Sequence, residues 1–172
     1  MKQQPSILAI DPGVSGGFCY YSAAGKDYNL HPMPGTEVAI SGIISYFLDY
    51  ASMHGDVMKC VIEQVTGYVG GEGQPGARMF TFGENYGFLR GVMIAKGCDI
   101  STITPRAWQE AIDFKKPRGI KTHHWKASLR EYASNIITLR GLDVDGALST
   151  KTADAFLICR AFQRNLLKEG QQ

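Results

Sequence analysis

The chain has 172 residues, 44% hydrophobic and 20% charged, the profile of one globular domain over 1–172 and not of a multidomain machine or a disordered tail. Its longest uncharged apolar stretches fall well short of a bilayer's width, and the apolar run after Pro5 is too short for a secretory signal, so a cytoplasmic protein without a membrane partner is expected. The net charge of +2 hides an uneven spread: residues 1–114 carry 7 Lys and Arg against 11 Asp and Glu, residues 115–140 carry 7 against 1, and residues 141–172 carry 4 against 4, so the middle block is a basic patch of +6.

In chain order, Ile7-Leu8-Ala9-Ile10 is a continuous apolar run that stops at Asp11-Pro12-Gly13, which predicts a strand buried on both faces and then a turn. Gly16 to Tyr21 and Asp27 to His31 are aromatic-rich and separated by Ser22-Ala23-Ala24-Gly25, the pattern of two further antiparallel strands. Thr36 caps a helix to about Met53, with Ile40, Ile43, Ile44, Phe47 and Leu48 at helical spacing. Val57 to Ile62 repeats the first pattern and ends in a second acid, Glu63. Five glycines from Gly67 to Gly76 predict a loop, followed by a helix from about Ala77 to Ala95. Asp99 to Ile103 reads as a strand, Thr104-Pro105 as a capped helix start, Thr122 to about Ala133 as a basic helix, and a last helix is expected from Ser149 or Thr150 onward. The four cysteines are too scattered for a zinc knuckle or a redox dithiol and are expected as reduced thiols. This element order indicates an α/β mixed sheet with helices packed on it.

Two buried strands that each end in a carboxylate are costly unless a cation compensates them. In open α/β sheets the functional crevice lies beyond the carboxyl ends of the strands, where Asp11 and Glu63 would project from parallel neighbours. Asp154, in Thr152-Ala153-Asp154-Ala155-Phe156-Leu157-Ile158, is a third acid facing packed surroundings. Singly, each has an ordinary explanation as a turn, an ion pair or a helix first-turn acid. Together they suit Mg²⁺, with Mn²⁺ as substitute, and two such ions serve phosphodiester displacement.

Ile-Asp-Pro-Gly-x-Ser-Gly at Ile10 to Gly16, Val-Ile-Glu-Gln-Val at Val61 to Val65 and Thr-Ala-Asp-Ala-Phe-Leu-Ile at Thr152 to Ile158 resemble the three acidic motifs of the RuvC-type Holliday junction resolvases. The resemblance spans nearly the whole chain. It implies an RNase H-like fold with a mixed five-stranded sheet, three antiparallel strands then parallel ones, and helices on both faces. It further implies a bacterial or phage homodimer that cuts a four-way DNA junction with Mg²⁺ and no small-molecule cofactor. The family usually places another acid, or a histidine, three residues before the final Asp; this chain has Lys151 there. On a helix Lys151 and Asp154 would share a face. Lys151 would then contact the scissile phosphate, leave Asp143 or Asp145 to complete the metal shell, or mark reduced activity. Tyr68 or Phe80, following the second motif, would by the same resemblance help open the junction centre, although Phe80 and Phe82 also read as core residues.

Lys115, Lys116, Arg118, Lys121, Lys126 and Arg130, interleaved with His123, His124 and Trp125, have the composition of a DNA-binding surface: point charges, guanidinium forks and a ring able to stack. A solvated basic helix with Trp125 in the core is the plainer reading. Competing functions are a non-catalytic junction-binding module, an RNA-directed nuclease on the same fold, and a sugar-kinase or actin-like ATPase, for whose two lobes the chain is too short.

Overall fold

A computed structural model describes residues 5–64 and 76–169. Eleven elements follow one another among them: β1 (Ser6–Asp11), β2 (Gly17–Tyr21), β3 (Tyr28–Pro32), α1 (Glu37–Met53), β4 (Met58–Glu63), α2 (Gly76–Ala95), β5 (Ile100–Ile103), α3 (Pro105–Ala111), α4 (Thr122–Arg140), β6 (Val144–Asp145) and α5 (Ala153–Glu169). The strands form one mixed sheet in the order β5-β4-β1-β2-β3-β6. β1, β2 and β3 are an antiparallel meander, β4 joins β1 in parallel, and β5 joins β4 in parallel.

The sheet has six strands and not the expected five. The sixth, β6, pairs only Val144 with Tyr28 and Asp145 with Asn29, and Asn29 Nδ2 donates to Asp145 Oδ2 at 2.9 Å. Two residues leave no periodic signature, so β6 becomes visible only through its pairing.

Strand β1 is buried along its full length because helices cover both sides of the sheet. Side chains alternate across the pleat: Leu8 and Ile10 join Phe18, Ile62, Ile44, Phe47 and Leu89 under α1 and α2, while Ile7 and Ala9 join Val61, Trp108, Leu129 and Phe156 under α3, α4 and α5. Apart from Asp154, the start of α5 is apolar, with Ala153 and Ala155 to Cys159 all fully buried, as a helix wedged between the sheet and two other helices requires.

Local chemistry sets most helix ends. Thr36 Oγ1 accepts from Ala39 N–H at 3.3 Å, and Thr104 Oγ1 accepts from Ala107 N–H at 3.1 Å with Pro105 behind it. Helix α4 runs two turns beyond the expected Ala133 because Ile136 and Ile137 still pack on the core, and it stops at Gly141, whose left-handed φ of 56° terminates it. Helix α5 begins later than Ser149 or Thr150. Thr152 Oγ1 accepts from Ser149 N–H at 2.9 Å and donates to Ala147 carbonyl oxygen at 2.8 Å, closing residues 149–152 into a turn. All four cysteines are free thiols, three of them buried.

Candidate active site

The site lies where β1 and β4 run out. Their parallel register pairs Ile10 with Ile62, so Asp11 and Glu63 follow on adjacent strands about 4.8 Å apart. Alternation turns both away from the α1 and α2 side and toward α3, α4 and α5. Asp154, in the first turn of α5, meets them from that side; Asp11 is 7% and Asp154 5% exposed. The turn after Asp11 is shaped by glycine. Gly13 adopts φ 100° and donates its N–H to Asn85 Oδ1 at 2.8 Å, and a Cβ on Gly16 would stand 2.0 Å from the Asp11 carbonyl oxygen. Asn85, on α2, is a tether that no sequence motif announced.

Two further side chains complete the cluster. Trp108, fully buried on α3, donates its indole N–H to Glu63 Oε2 at 2.5 Å. Lys126, one turn into α4, donates to Asp154 Oδ2 and stands 3.5 Å from Asp11 Oδ2. Burial raises the Asp11 carboxyl to about 6, with Lys126 opposing and Asp154 adding to the rise. Burial and then Asp11 raise Glu63 to about 8, against the Trp108 hydrogen bond. Burial by itself would lower Lys126; Asp11, Asp154 and Glu63 together outweigh it and hold the ammonium above its ordinary value. The cluster is thus short of positive charge even with Lys126 present.

Its donor set is carboxylate oxygen alone, the chemistry of Mg²⁺ and Mn²⁺. Among the described residues, Asp154 Oδ1 is buried without a hydrogen-bond partner, an acceptor that a cation would satisfy. As placed around Lys126, however, no three acidic, imidazole or thiol groups among the described residues stand together closely enough to hold an ion.

Several expected residues fall elsewhere. Lys151 is not on a helix face with Asp154: it sits in the turn before α5, exposed, and makes no ion pair with the three acids. The cation among them is Lys126, which accordingly faces the carboxylates and not the open basic surface. Asp145 cannot complete a metal shell, because β6 is three strands away from β1 and Asp145 lies level with Leu8 through Asn29 and Tyr20; Asp143, two residues earlier, lies beyond Tyr28. Trp125 is a core residue, 6% exposed and stacked on Phe114 at 5.3 Å, so it offers no face to a base. Lys116, Arg118, Lys121 and Arg130 are exposed and form no ion pair among the described residues, whereas Lys115 reaches Glu110 at 3.8 Å. Phe80 is 67% exposed on α2, and Phe82 lies against Gly13. Tyr68 lies outside the described residues.

No protein-family model and no curated protein matches the sequence. Solved structures do match. The Thermus thermophilus RuvC in complex with a Holliday junction substrate superposes with a TM-score of 0.59 at 14% identity, covering 96% of this chain and 96% of that one. The chain has the fold of RuvC. A second T. thermophilus RuvC structure gives a TM-score of 0.56 at 13% identity over 95% of this chain and 96% of that one. The yeast mitochondrial Holliday junction resolvase gives 0.53 at 11% identity over 93% of this chain and 78% of that one. No helix among the described residues is long and apolar enough to cross a membrane.

Proposed function

We propose that the chain is a metal-dependent endonuclease that resolves four-way DNA junctions by phosphodiester hydrolysis. One observation carries this reading: three carboxylates from separate core elements, Asp11, Glu63 and Asp154, converge beyond the ends of two parallel strands on a RuvC-like fold. A fold alone does not specify chemistry, but an acid cluster of this kind has no use in a surface that merely holds phosphates.

Asp11, Glu63 and Asp154 would hold Mg²⁺ or Mn²⁺. Such ions supply an activated water and charge neutralisation at the phosphoryl and departing oxygens. Trp108 fixes Glu63 in rotamer and keeps one of its oxygens hydrogen-bonded. Lys126 pairs with Asp154 and stands close to Asp11, offsetting part of their charge when no ion is bound. Lys116, Arg118, Lys121 and Arg130, which form no ion pair among the described residues, supply the cations that track the DNA backbone, joined by Lys115; Lys151 is exposed as well.

Pairing of two subunits fits α2. Gly83, Gly87 and Gly91 recur every fourth residue with open space where each Cβ would be, and Phe80 and Ile94, 67% and 61% exposed, flank the stripe. Such a face allows two helices to approach closely about a two-fold axis.

The pairing of Lys126 with Asp154 and Asp11 is the observation on which a second reading, a non-catalytic junction-binding module, would rest. Incubation with a synthetic four-way junction, a linear duplex and an RNA–DNA hybrid, each with Mg²⁺ and with EDTA, separates the alternatives. Cleavage of the junction alone, in Mg²⁺ alone, is the expected result. Binding without cleavage would establish the module, and cleavage of the hybrid an RNA-directed enzyme.

A further inference from the structure

The positive charge at the site comes from the chain itself. Lys126 binds Asp154 Oδ2 and approaches Asp11 Oδ2 at 3.5 Å, while its side chain keeps 29% exposure against 10% and 8% for the two acids. The lysine side chain is thus more open to solvent than either of the acids it pairs with. A divalent ion bound by Asp11 and Asp154, even through the free Asp154 Oδ1, would lie within a few ångströms of the Lys126 ammonium, and like charges so close repel strongly in partly desolvated surroundings. The two cations cannot occupy that position together. Lysine suits such a role because its ammonium is a point charge on a four-carbon stem with free rotation, able to swing toward solvent without backbone movement.

We propose that Lys126 is a tethered cation that holds the acid cluster together in the absence of divalent ions, and that its ammonium and a divalent ion exclude one another at Asp11 and Asp154. The proposal rests on the reading of these acids as a metal site. It makes ion affinity weaker than three convergent carboxylates alone would give, and it requires the ion's entry to expel Lys126 to the surface.

The test uses the full chain with Mn²⁺ titrated by calorimetry. Lys126→Met, which keeps an apolar stem and removes the charge, should bind Mn²⁺ on the order of tenfold more tightly than the wild type, within the range usual for coupled sites. It should also melt at a lower temperature without Mn²⁺ and recover when Mn²⁺ is added. Equal affinity in the two proteins overturns the proposal. The wild type alone provides a second readout should Lys126→Met fold poorly: amine labelling of Lys126, followed by mass spectrometry, should quicken when Mg²⁺ saturates the site. Unchanged labelling overturns the proposal as well. Asp11→Asn keeps the two levels apart. Mn²⁺ bound equally by wild type and Lys126→Met but lost in Asp11→Asn refutes the tethered cation and leaves the metal site standing, whereas Mn²⁺ bound by none of the three removes both.

Discussion

Raising the pH should destabilise the metal-free protein, because two carboxyls of the site ionise less readily folded than unfolded. Asp11 is displaced from 3.8 to about 6 and Glu63 from 4.5 to about 8. Between the unfolded and folded values, the folded chain keeps protons that the unfolded chain has already released. Stability is therefore fully present below about pH 4 and is lost as the pH rises through 6 and then 8. At about 1.4 kcal/mol for each pH unit over which a proton is retained, Glu63 accounts for at most roughly 5 kcal/mol and Asp11 for roughly 3 kcal/mol. Solvent reaching the half-buried Glu63 and Lys126 reduces this to an expected total of about 3–5 kcal/mol between about pH 5 and about pH 9. Urea unfolding in EDTA, followed by tryptophan fluorescence at a series of pH values, measures the slope directly. Glu63→Gln keeps a carbonyl oxygen for the Trp108 indole and removes the proton, so its curve should match the wild type near pH 5 and lie above it near pH 9. A wild-type curve that is flat or rises over this window, or a Glu63→Gln curve as steep as the wild type, refutes the electrostatic account of the site.

Asp11→Asn and Asp154→Asn should each abolish junction cleavage in a single-turnover assay while junction binding, read by gel shift, holds or tightens, since each removes a charge that repels phosphate. Trp108→Phe should cost about 1–3 kcal/mol in urea unfolding, because a half-buried carboxylate loses its donor as the core loses part of an indole. Charge reversal at Lys121 and Arg130 should flatten the salt dependence of junction binding, the log–log slope falling by about 0.9 for each phosphate that the protein no longer neutralises. Gly87→Gln should turn a dimer into a monomer in light scattering with little change in melting temperature, because its Cβ meets nothing within 4 Å of the same chain.

Much of this architecture was legible from residue order, and for local reasons. The runs Ile7 to Ile10 and Val57 to Ile62 identify buried strands because sheets covered on both faces exclude polar residues, and the acids that end them stand out for the same reason. Thr36, Thr104 and Pro105 mark helix starts because a cap hydrogen bond is made within three residues. Those signals located Asp11 and Glu63 and the order of the elements, and Asp154 stood out as an acid inside an otherwise apolar run. The helix faces at the site were not so local. On α4 the buried stripe of Trp125, Leu129 and Ala133 fixes the rotation and brings Lys126 over the carboxylates; a sequence shows six basic residues but not which one that packing turns inward. Lys151 lost its expected place because the turn closed by Thr152 delays α5, and two residues suffice to take a side chain off a helix face. Trp108 became the partner of Glu63 only when β5 paired beside β4 and carried α3 across the strand end. The sequence determines which segments are buried and where charge collects, since both are properties of short stretches of chain. Which charges meet depends on strand register and helix rotation, and these arise only when the whole core packs.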